Sequence, residues 1–173
     1  MDFSKLEKIL EDNGQPKFRL EQIKKAVYQD GISAFSEIST LPKELRDILE
    51  KKMHISSVSL EEILTSSDNQ SNKALLRLSD DNFVETVLLS SGKGDWTVCV
   101  SCQVGCPMNC AFCATGQEGF KRNLTAEEIT DQILFWKQYL KNSNLKSLAA
   151  PSGQAQISNL MLYLWLGRTG RFC

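Results

Sequence analysis

Apolar residues in the first fifty positions recur every three or four residues, which is the spacing of one face of an α-helix. Three helices are predicted. Asn13-Gly14 ends the first, Asp30-Gly31 ends the second and Pro42 opens the third. Their apolar faces consist of Phe3, Leu6, Ile9 and Leu10; of Leu20, Ile23, Ala26 and Val27; and of Leu45, Ile48 and Leu49. The pattern predicts a small helical module that by itself specifies no chemistry.

The period changes to that of β-strands after residue 57. Segments Ala74–Leu78, Phe83–Leu89 and Thr97–Val100 are rich in strand-forming residues and are separated by polar turns. They predict an antiparallel meander that leads directly into a cysteine-containing loop. The polar run Ser66–Asn72 is predicted to be a surface linker.

A second helix–strand pattern follows the loop. Thr125 and Glu128 form a capping-box pattern, and the predicted helix has an apolar face. That face consists of Ile129, Ile133, Trp136 and Leu140. After a polar connection, the apolar run Ile157–Leu166 predicts a buried strand. A strand, a loop, a helix and a second strand make a β/α unit, so the predicted fold class is α/β.

Three cysteines lie in the loop between the meander and this helix. Cys106, Cys110 and Cys113 have the spacing C-x3-C-x2-C, and Phe112 directly precedes the last thiol. Three thiolates can hold three corners of a [4Fe–4S] cluster and leave the fourth iron open to a small molecule. Structural zinc instead needs four protein ligands. The loop therefore predicts an iron–sulfur cluster that binds a small molecule.

Zinc is the main alternative, because Cys99 and Cys102 form an upstream C-x2-C pair that could complete a site. Against zinc, Cys102 and Cys106 are separated by only three residues, whereas zinc ligand pairs usually lie well apart. A disulfide framework is disfavoured because no N-terminal apolar segment resembles a secretory signal. His54, the only histidine, has no ligand spacing around it.

The composition, 42% hydrophobic and 24% charged, is typical of a soluble globular protein. The net charge of −1 does not indicate nucleic-acid binding, and the adjacent Lys121 and Arg122 are typical of a solvated turn. Leu160–Leu166, the longest apolar run, is too short to span a bilayer. We therefore expect a cytoplasmic protein without membrane contact, and a monomer.

The run Cys99–Thr130, CVSCQVGCPMNCAFCATGQEGFKRNLTAEEIT, resembles the core of the radical S-adenosylmethionine (SAM) enzymes that methylate adenine C2 in large-subunit ribosomal RNA and in tRNA. A related branch that methylates C8 shares much of this pattern. Upstream, PKFRLEQIKKAVYQDGISAFSEISTLPKELRDIL resembles the N-terminal accessory domain of that family, and NKALLRLSDDNFVETVLL resembles its β-rich segment. The likeness covers most of Gln15–Leu160.

The resemblance implies the N-terminal part of a radical SAM (β/α) barrel, preceded by a small helical accessory domain and a short antiparallel β segment. The implied divisions are residues 1–56 for an accessory domain of RNA-binding type, 57–98 for the β-rich extension and 99–161 for the start of the barrel.

The resemblance also implies roles for five residues. Cys106, Cys110 and Cys113 would ligate a [4Fe–4S] cluster whose free iron chelates SAM. One electron, from a reductant such as flavodoxin or ferredoxin, would cleave SAM to a 5′-deoxyadenosyl radical, which takes hydrogen from a methyl group carried on a cysteine. The resulting methylene radical adds to adenine in 23S rRNA or tRNA. Cys99 lies at the position of the thiol that releases the RNA adduct by forming a disulfide, and Glu85 lies at that of the proton acceptor.

Two positions depart from the family's pattern. The turn between Glu85 and Cys99 carries one extra residue, and Cys102 falls where the family commonly has serine, so we interpret Cys102 as incidental.

The C-terminal end departs further. The family continues with a Gly-x-Gly-Glu-Pro motif and more β/α units that carry the methyl-bearing cysteine, whereas this chain ends LYLWLGRTGRFC. Trp-Leu-Gly-Arg-Thr can be encoded by codons that, read one base along, give Gly-Leu-Gly-Glu-Pro. Residues 162–173 are therefore interpreted as an out-of-frame tail, and the chain is expected to be an incomplete, inactive copy. Two other interpretations stay open: a zinc-binding RNA or protein interaction module, and a non-catalytic cluster-binding remnant.

Overall fold

Three helices pack together at the N-terminal end of the chain. The computed structural model describes residues 1–90, 96–143 and 163–164. The helices are α1 (Phe3–Asp12), α2 (Phe18–Tyr28) and α3 (Lys43–Lys52), with a 3-10 turn at Phe35–Glu37. All of the predicted apolar positions in these helices are buried or partly buried in one core. The helical spacing thus predicted this core correctly.

A four-stranded antiparallel meander follows in sequential order. Its strands are β1 (Val58–Thr65), β2 (Ser71–Leu78), β3 (Phe83–Ser90) and β4 (Trp96–Val100). Each strand pairs with the next along the chain. The predicted antiparallel meander is confirmed. The face that packs inward is formed by Ala74, Leu76, Leu78, Val84, Leu88, Trp96, Val98 and Val100.

The predicted linker Ser66–Asn72 is wrong at its C-terminal end. Ser71 and Asn72 begin β2, and Asn72 is fully buried opposite Leu88 of β3. The Thr65 hydroxyl donates to the side-chain oxygen of Asn72 at 2.8 Å, whereas the buried side-chain nitrogen of Asn72 has no hydrogen-bond partner among the described residues. The remainder is a tight turn between β1 and β2.

Helix α5 (Ala126–Asn142) covers the inward face of the sheet. The predicted capping box is present: the Glu128 amide donates to the Thr125 hydroxyl, and the Thr125 amide donates to the Glu128 carboxylate. Strand β7 (Tyr163–Leu164) then pairs in parallel with β4, with Cys99 in register with Tyr163. The segment β4–α5–β7 is therefore the predicted β/α unit.

Other predictions lie outside the described residues. They include most of the polar connection after α5, most of the predicted strand Ile157–Leu166, and the interpreted tail at 162–173 apart from Tyr163 and Leu164. Among the described helices, none combines the length and the hydropathy of a membrane span.

Asp131 of α5 joins the helical module to the sheet. Its fully buried carboxylate accepts hydrogen bonds from the Ser57 amide and the Ser57 hydroxyl, both at 2.8 Å. The Met1 ammonium group donates to the same carboxylate at 2.5 Å. Since an uncompensated buried polar group is costly, this carboxylate couples the folding of the two parts.

Asp131→Asn should lower the free energy of unfolding by about 3 kcal/mol, because it removes one partner of a buried ion pair and places an amide donor against other donors. Urea denaturation measures the loss. Asp12→Asn at the exposed end of α1 is the matched control and should change stability by less than about 0.5 kcal/mol. Equal losses in the two variants would contradict this role for Asp131.

Candidate active site

The three clustered cysteines lie in a loop between two short antiparallel strands. Strand β5 (Gln103–Gly105) pairs with β6 (Phe120–Asn123), and the loop between them contains the one-turn helix α4 (Ala114–Gln117). This hairpin was not predicted, because its strands of three and four residues carry no alternating pattern. It fixes both ends of the cysteine loop.

Backbone hydrogen bonds shape the loop from within. The Cys106 amide donates to the Gly119 carbonyl at 3.2 Å and closes the base of the loop. The Cys113 amide donates to the Cys110 carbonyl at 3.0 Å, so these two cysteines share one turn. All three cysteines are partly exposed, and Phe112 is 93% exposed. The loop therefore offers its thiols and one aromatic ring to a bound group.

Gly105 is required at the base of the loop. Its φ of +71° lies in the left-handed region, and a Cβ there would lie 1.8 Å from the Gly119 carbonyl oxygen. Gly119 has a similar φ of +75°, but a Cβ there would meet no atom within 4 Å. Sequence reasoning missed Gly105, although two glycines that flank a cysteine loop indicate turns at both of its ends.

A cavity of about 270 Å³ opens beside the loop and collects residues from several elements. Four of the five predicted site residues line it: Glu85, Cys99, Cys106 and Cys113. Cys110 is not among the lining residues, whereas Cys102 is. The structure thus brings the predicted strand residues and two of the three loop cysteines to one place. A larger cavity of about 540 Å³, between the helical module and β1–β2, is lined by the exposed His54 and by none of the cysteines.

The pairing of β3 with β4 places Glu85 and Cys99 on the same side of the sheet. Val87 lies opposite Cys99, and side chains alternate along a strand, so Glu85 and Val87 share the cavity face while Thr86 faces the core. The Glu85 carboxylate accepts a hydrogen bond from Lys73 at 2.9 Å, and both side chains are about half exposed. Sequence reasoning also missed Lys73, since only the strand register brings it to Glu85.

Lys121 and Arg122 are not a simple solvated turn. Lys121 donates to the Asn82 side chain at 2.9 Å, and Arg122 donates to Asp80 at 2.8 Å and to both carboxylate oxygens of Glu128 at 2.8 Å. These hydrogen bonds from Arg122 lower the pKa of Asp80 and the pKa of Glu128 below their ordinary values. Arg122 therefore ties the cysteine hairpin to the β2–β3 turn and to the start of α5.

Low pH should weaken the interactions of Arg122 with Asp80 and Glu128. A carboxyl group whose folded pKa is lowered contributes stability above its unfolded pKa, near 4 by ordinary values, and loses that contribution as the pH falls through the folded pKa. We expect the unfolding free energy to decline below pH of about 4, and to decline less steeply in Arg122→Met. Urea unfolding at several pH values measures both slopes, and identical slopes would contradict the assignment.

Three cysteine thiols on one loop are the donor set that holds a [4Fe–4S] cluster. In the part of the chain that the structure describes, no three Cys, His, Asp or Glu side chains converge as for one ion, and no disulfide joins the five cysteines there. Each thiolate of a [4Fe–4S] cluster binds a different iron, so the sulfur atoms stand apart. A Cβ at Gly116 would lie 3.0 Å from the Cys110 amide nitrogen, which shows how closely the loop backbone folds on itself.

Comparisons with known proteins match RNA methyltransferases. Residues 1–55 match the family described as ribosomal RNA large subunit methyltransferase N-terminal domain. The chain is 40% identical over 140 residues to the dual-specificity RNA methyltransferase RlmN of Syntrophus aciditrophicus. The aligned region covers 81% of this chain and 40% of the relative. It is 36% identical over 161 residues to the ribosomal RNA large subunit methyltransferase Cfr of Bacillus velezensis. That aligned region covers 93% of this chain and 46% of the relative.

A solved structure shows the same fold. The crystal structure of a radical SAM methyltransferase from Sphaerobacter thermophilus superposes with a TM-score of 0.71 at 34% identity, over 82% of this chain and 41% of that chain. The chain spans less than half the length of these relatives. By its sequence and its α/β fold, the chain matches the N-terminal part of radical SAM RNA methyltransferases.

Proposed function

We propose that this chain provides the cluster-binding part of a radical SAM enzyme that methylates adenine C2 in 23S rRNA and tRNA. Cys106, Cys110 and Cys113 are the proposed cluster ligands. The observation that carries the proposal is the cavity in which Glu85 and Cys99 lie beside two of these cysteines. Its volume of about 270 Å³ is near the lower end of the range for small-molecule sites.

The protein's contribution is to hold the reacting groups. When bound, the cluster and SAM supply a 5′-deoxyadenosyl radical for hydrogen abstraction from a methyl-bearing cysteine. Three thiolates of the loop hold the cluster, and the hairpin β5–β6 fixes both ends of that loop. The exposed Phe112 lies directly before the third thiolate, where it can contact the small molecule.

Two strand residues complete the proposed chemistry. Glu85 accepts the proton that the adenine ring loses, and Lys73 holds its carboxylate at the edge of the cavity. The Cys99 thiol would release the RNA adduct by forming a disulfide with the cysteine that carries it, as the sulfur–carbon bond breaks and the thiol proton ends on the carbon that leaves as the methyl group. The helical module 1–56 is proposed to contact RNA, with 57–98 as the β-rich extension and 99–161 as the start of the barrel.

The other proposed partner is a one-electron reductant such as flavodoxin or ferredoxin. We expect the chain to be a monomer and to bind a cluster.

A second candidate function is a zinc-binding interaction module. It is favoured by one observation: Cys99, Cys102, Cys106 and Cys113 line the same cavity, although among the described residues no three of them converge as for one ion, so zinc would have to draw them together. Four thiolates are a complete structural zinc set.

Metal analysis after anaerobic reconstitution with iron, sulfide and zinc together separates the two candidates. The proposed function predicts a brown protein with about four iron and four sulfide atoms per chain. A colourless protein with one zinc and no sulfide would overturn it in favour of the zinc module.

A further inference from the structure

Two polar side chains are buried on the core side of the sheet, directly behind the cavity. Gln132 of α5 is fully buried; its Oε1 accepts from the Ser101 amide and its Nε2 donates to the Ser101 carbonyl, both at 2.9 Å. Thr86 of β3 is 1% exposed, and its hydroxyl donates to the Cys99 carbonyl at 2.7 Å. The indole nitrogen of Trp136 in turn donates to that hydroxyl at 3.0 Å.

These hydrogen bonds lie at the end of β4, where its pairing with β3 stops. Strand β4 ends at Val100, so the amide and carbonyl of Ser101 lie beyond its last pair with β3. Gln132 supplies both hydrogen bonds there, as a neighbouring strand would. The Ser101 hydroxyl then donates to the Glu85 carbonyl at 2.6 Å. Helix α5 thereby holds the backbone at Glu85 through Gln132 and Ser101. It holds the backbone at Cys99 through Trp136 and Thr86.

Apolar residues at positions 86 and 132 would fill the same core volume. Burying an amide or a hydroxyl costs free energy unless all its hydrogen bonds are made. The hydrogen bonds to the backbone therefore explain why these two polar side chains are buried here. They bind backbone atoms and approach from the core, which leaves the Cys99 thiol and the Glu85 carboxylate free to face the cavity.

We propose that Gln132 and Thr86 are positioning residues, which act through the backbone of Ser101 and Cys99 to hold the Cys99 thiol and the Glu85 carboxylate at the cavity. The inference deepens the proposed function and rests on it, since that function gives Cys99 and Glu85 their chemical roles.

The unmodified chain provides the first test, by amide hydrogen exchange. The Ser101 amide should exchange as slowly as that of Val98 inside β4, because Gln132 closes its hydrogen bond. Exchange of Ser101 at the rate of an exposed loop would overturn the proposal without any variant.

The second test measures how fast iodoacetamide alkylates each cysteine, by peptide mass spectrometry of the whole metal-free chain. Gln132→Met and Thr86→Val remove the hydrogen bonds with little change in shape. Each should speed alkylation of Cys99 by about tenfold through local opening and leave Cys106 and Cys113 within about twofold.

Two controls separate positioning from general loss of stability. Thr130→Val makes the same chemical change as Thr86→Val on the exposed side of α5, where the hydroxyl donates to the Ala126 and Glu127 carbonyls. Leu45→Ala destabilises the helical module, far from β4 in sequence. Neither control should favour Cys99 over Cys106.

Equal acceleration of all cysteines in Gln132→Met, or the same Cys99 selectivity in Leu45→Ala, would show a merely structural role and overturn the proposal. These measurements need neither cluster nor activity. A wild-type chain that fails to bind iron and sulfide would therefore refute the proposed function and leave the result for Gln132 and Thr86 intact.

Discussion

Cys110→Ala is expected to abolish cluster binding, with iron content falling from about four atoms per chain to below about one. The cluster is proposed to have only three protein ligands, so the loss of one leaves two irons without a thiolate. Cys110 is the most informative of the three, because it does not line the cavity and its removal leaves the lining unchanged. Iron and sulfide analysis after anaerobic reconstitution measures the effect.

Cys102→Ala is the matched control. Cys102 lines the cavity but stands outside the C-x3-C-x2-C set, so this variant should keep its full iron and sulfide content. A zinc site built from the four cavity-lining cysteines predicts the opposite order, with Cys110 dispensable and Cys102 required. Loss of metal in one of the two variants and not in the other therefore distinguishes the two metal sites.

Gly105→Ala should be the most damaging single substitution in the cysteine hairpin. The new Cβ would lie 1.8 Å from the Gly119 carbonyl oxygen, so the hairpin has to open at the base of the loop. We expect a loss of unfolding free energy at least about 2 kcal/mol larger than that of Gly119→Ala, together with strongly reduced iron binding. Thermal unfolding and iron analysis measure the two effects.

Comparison with Gly119→Ala separates the steric clash at Gly105 from the cost of a left-handed backbone. It has the same kind of left-handed backbone, at φ +75°, but open space at the Cβ position, so it should cost only about 1 kcal/mol of conformational strain. If both variants lose the same stability and bind the same iron, close packing at Gly105 is not what fixes the loop.

The helical parts of the fold could be predicted because their pattern is local. Spacing of three and four residues located the buried faces of α1, α2 and α3, and the Thr125 capping box located the start of α5. Strand β1 was not predicted, because its eight residues are exposed or only partly buried and show no clean alternation. Strands β5 and β6 are too short to carry a pattern.

The sequence named candidate residues for the site, but it did not show which residues support them. The cysteine spacing is a local motif, and the family resemblance supplied Glu85 and Cys99. Gln132 and Thr86 look like ordinary polar residues in sequence, because nothing local shows that their side chains bond to the backbone of β4. One signal was available: Glu128, Gln132 and Trp136 recur every four residues, which places two polar side chains on the buried face of α5.

The electron paramagnetic resonance spectrum of the reduced, reconstituted chain, recorded with and without SAM, tests the central claim most directly. A [4Fe–4S] cluster held by Cys106, Cys110 and Cys113 has one iron open to SAM, so its signal should change on SAM addition in the wild type and in Cys102→Ala. An iron–sulfur signal that SAM leaves unchanged would mean that no iron is open to SAM, and would contradict this account of the site.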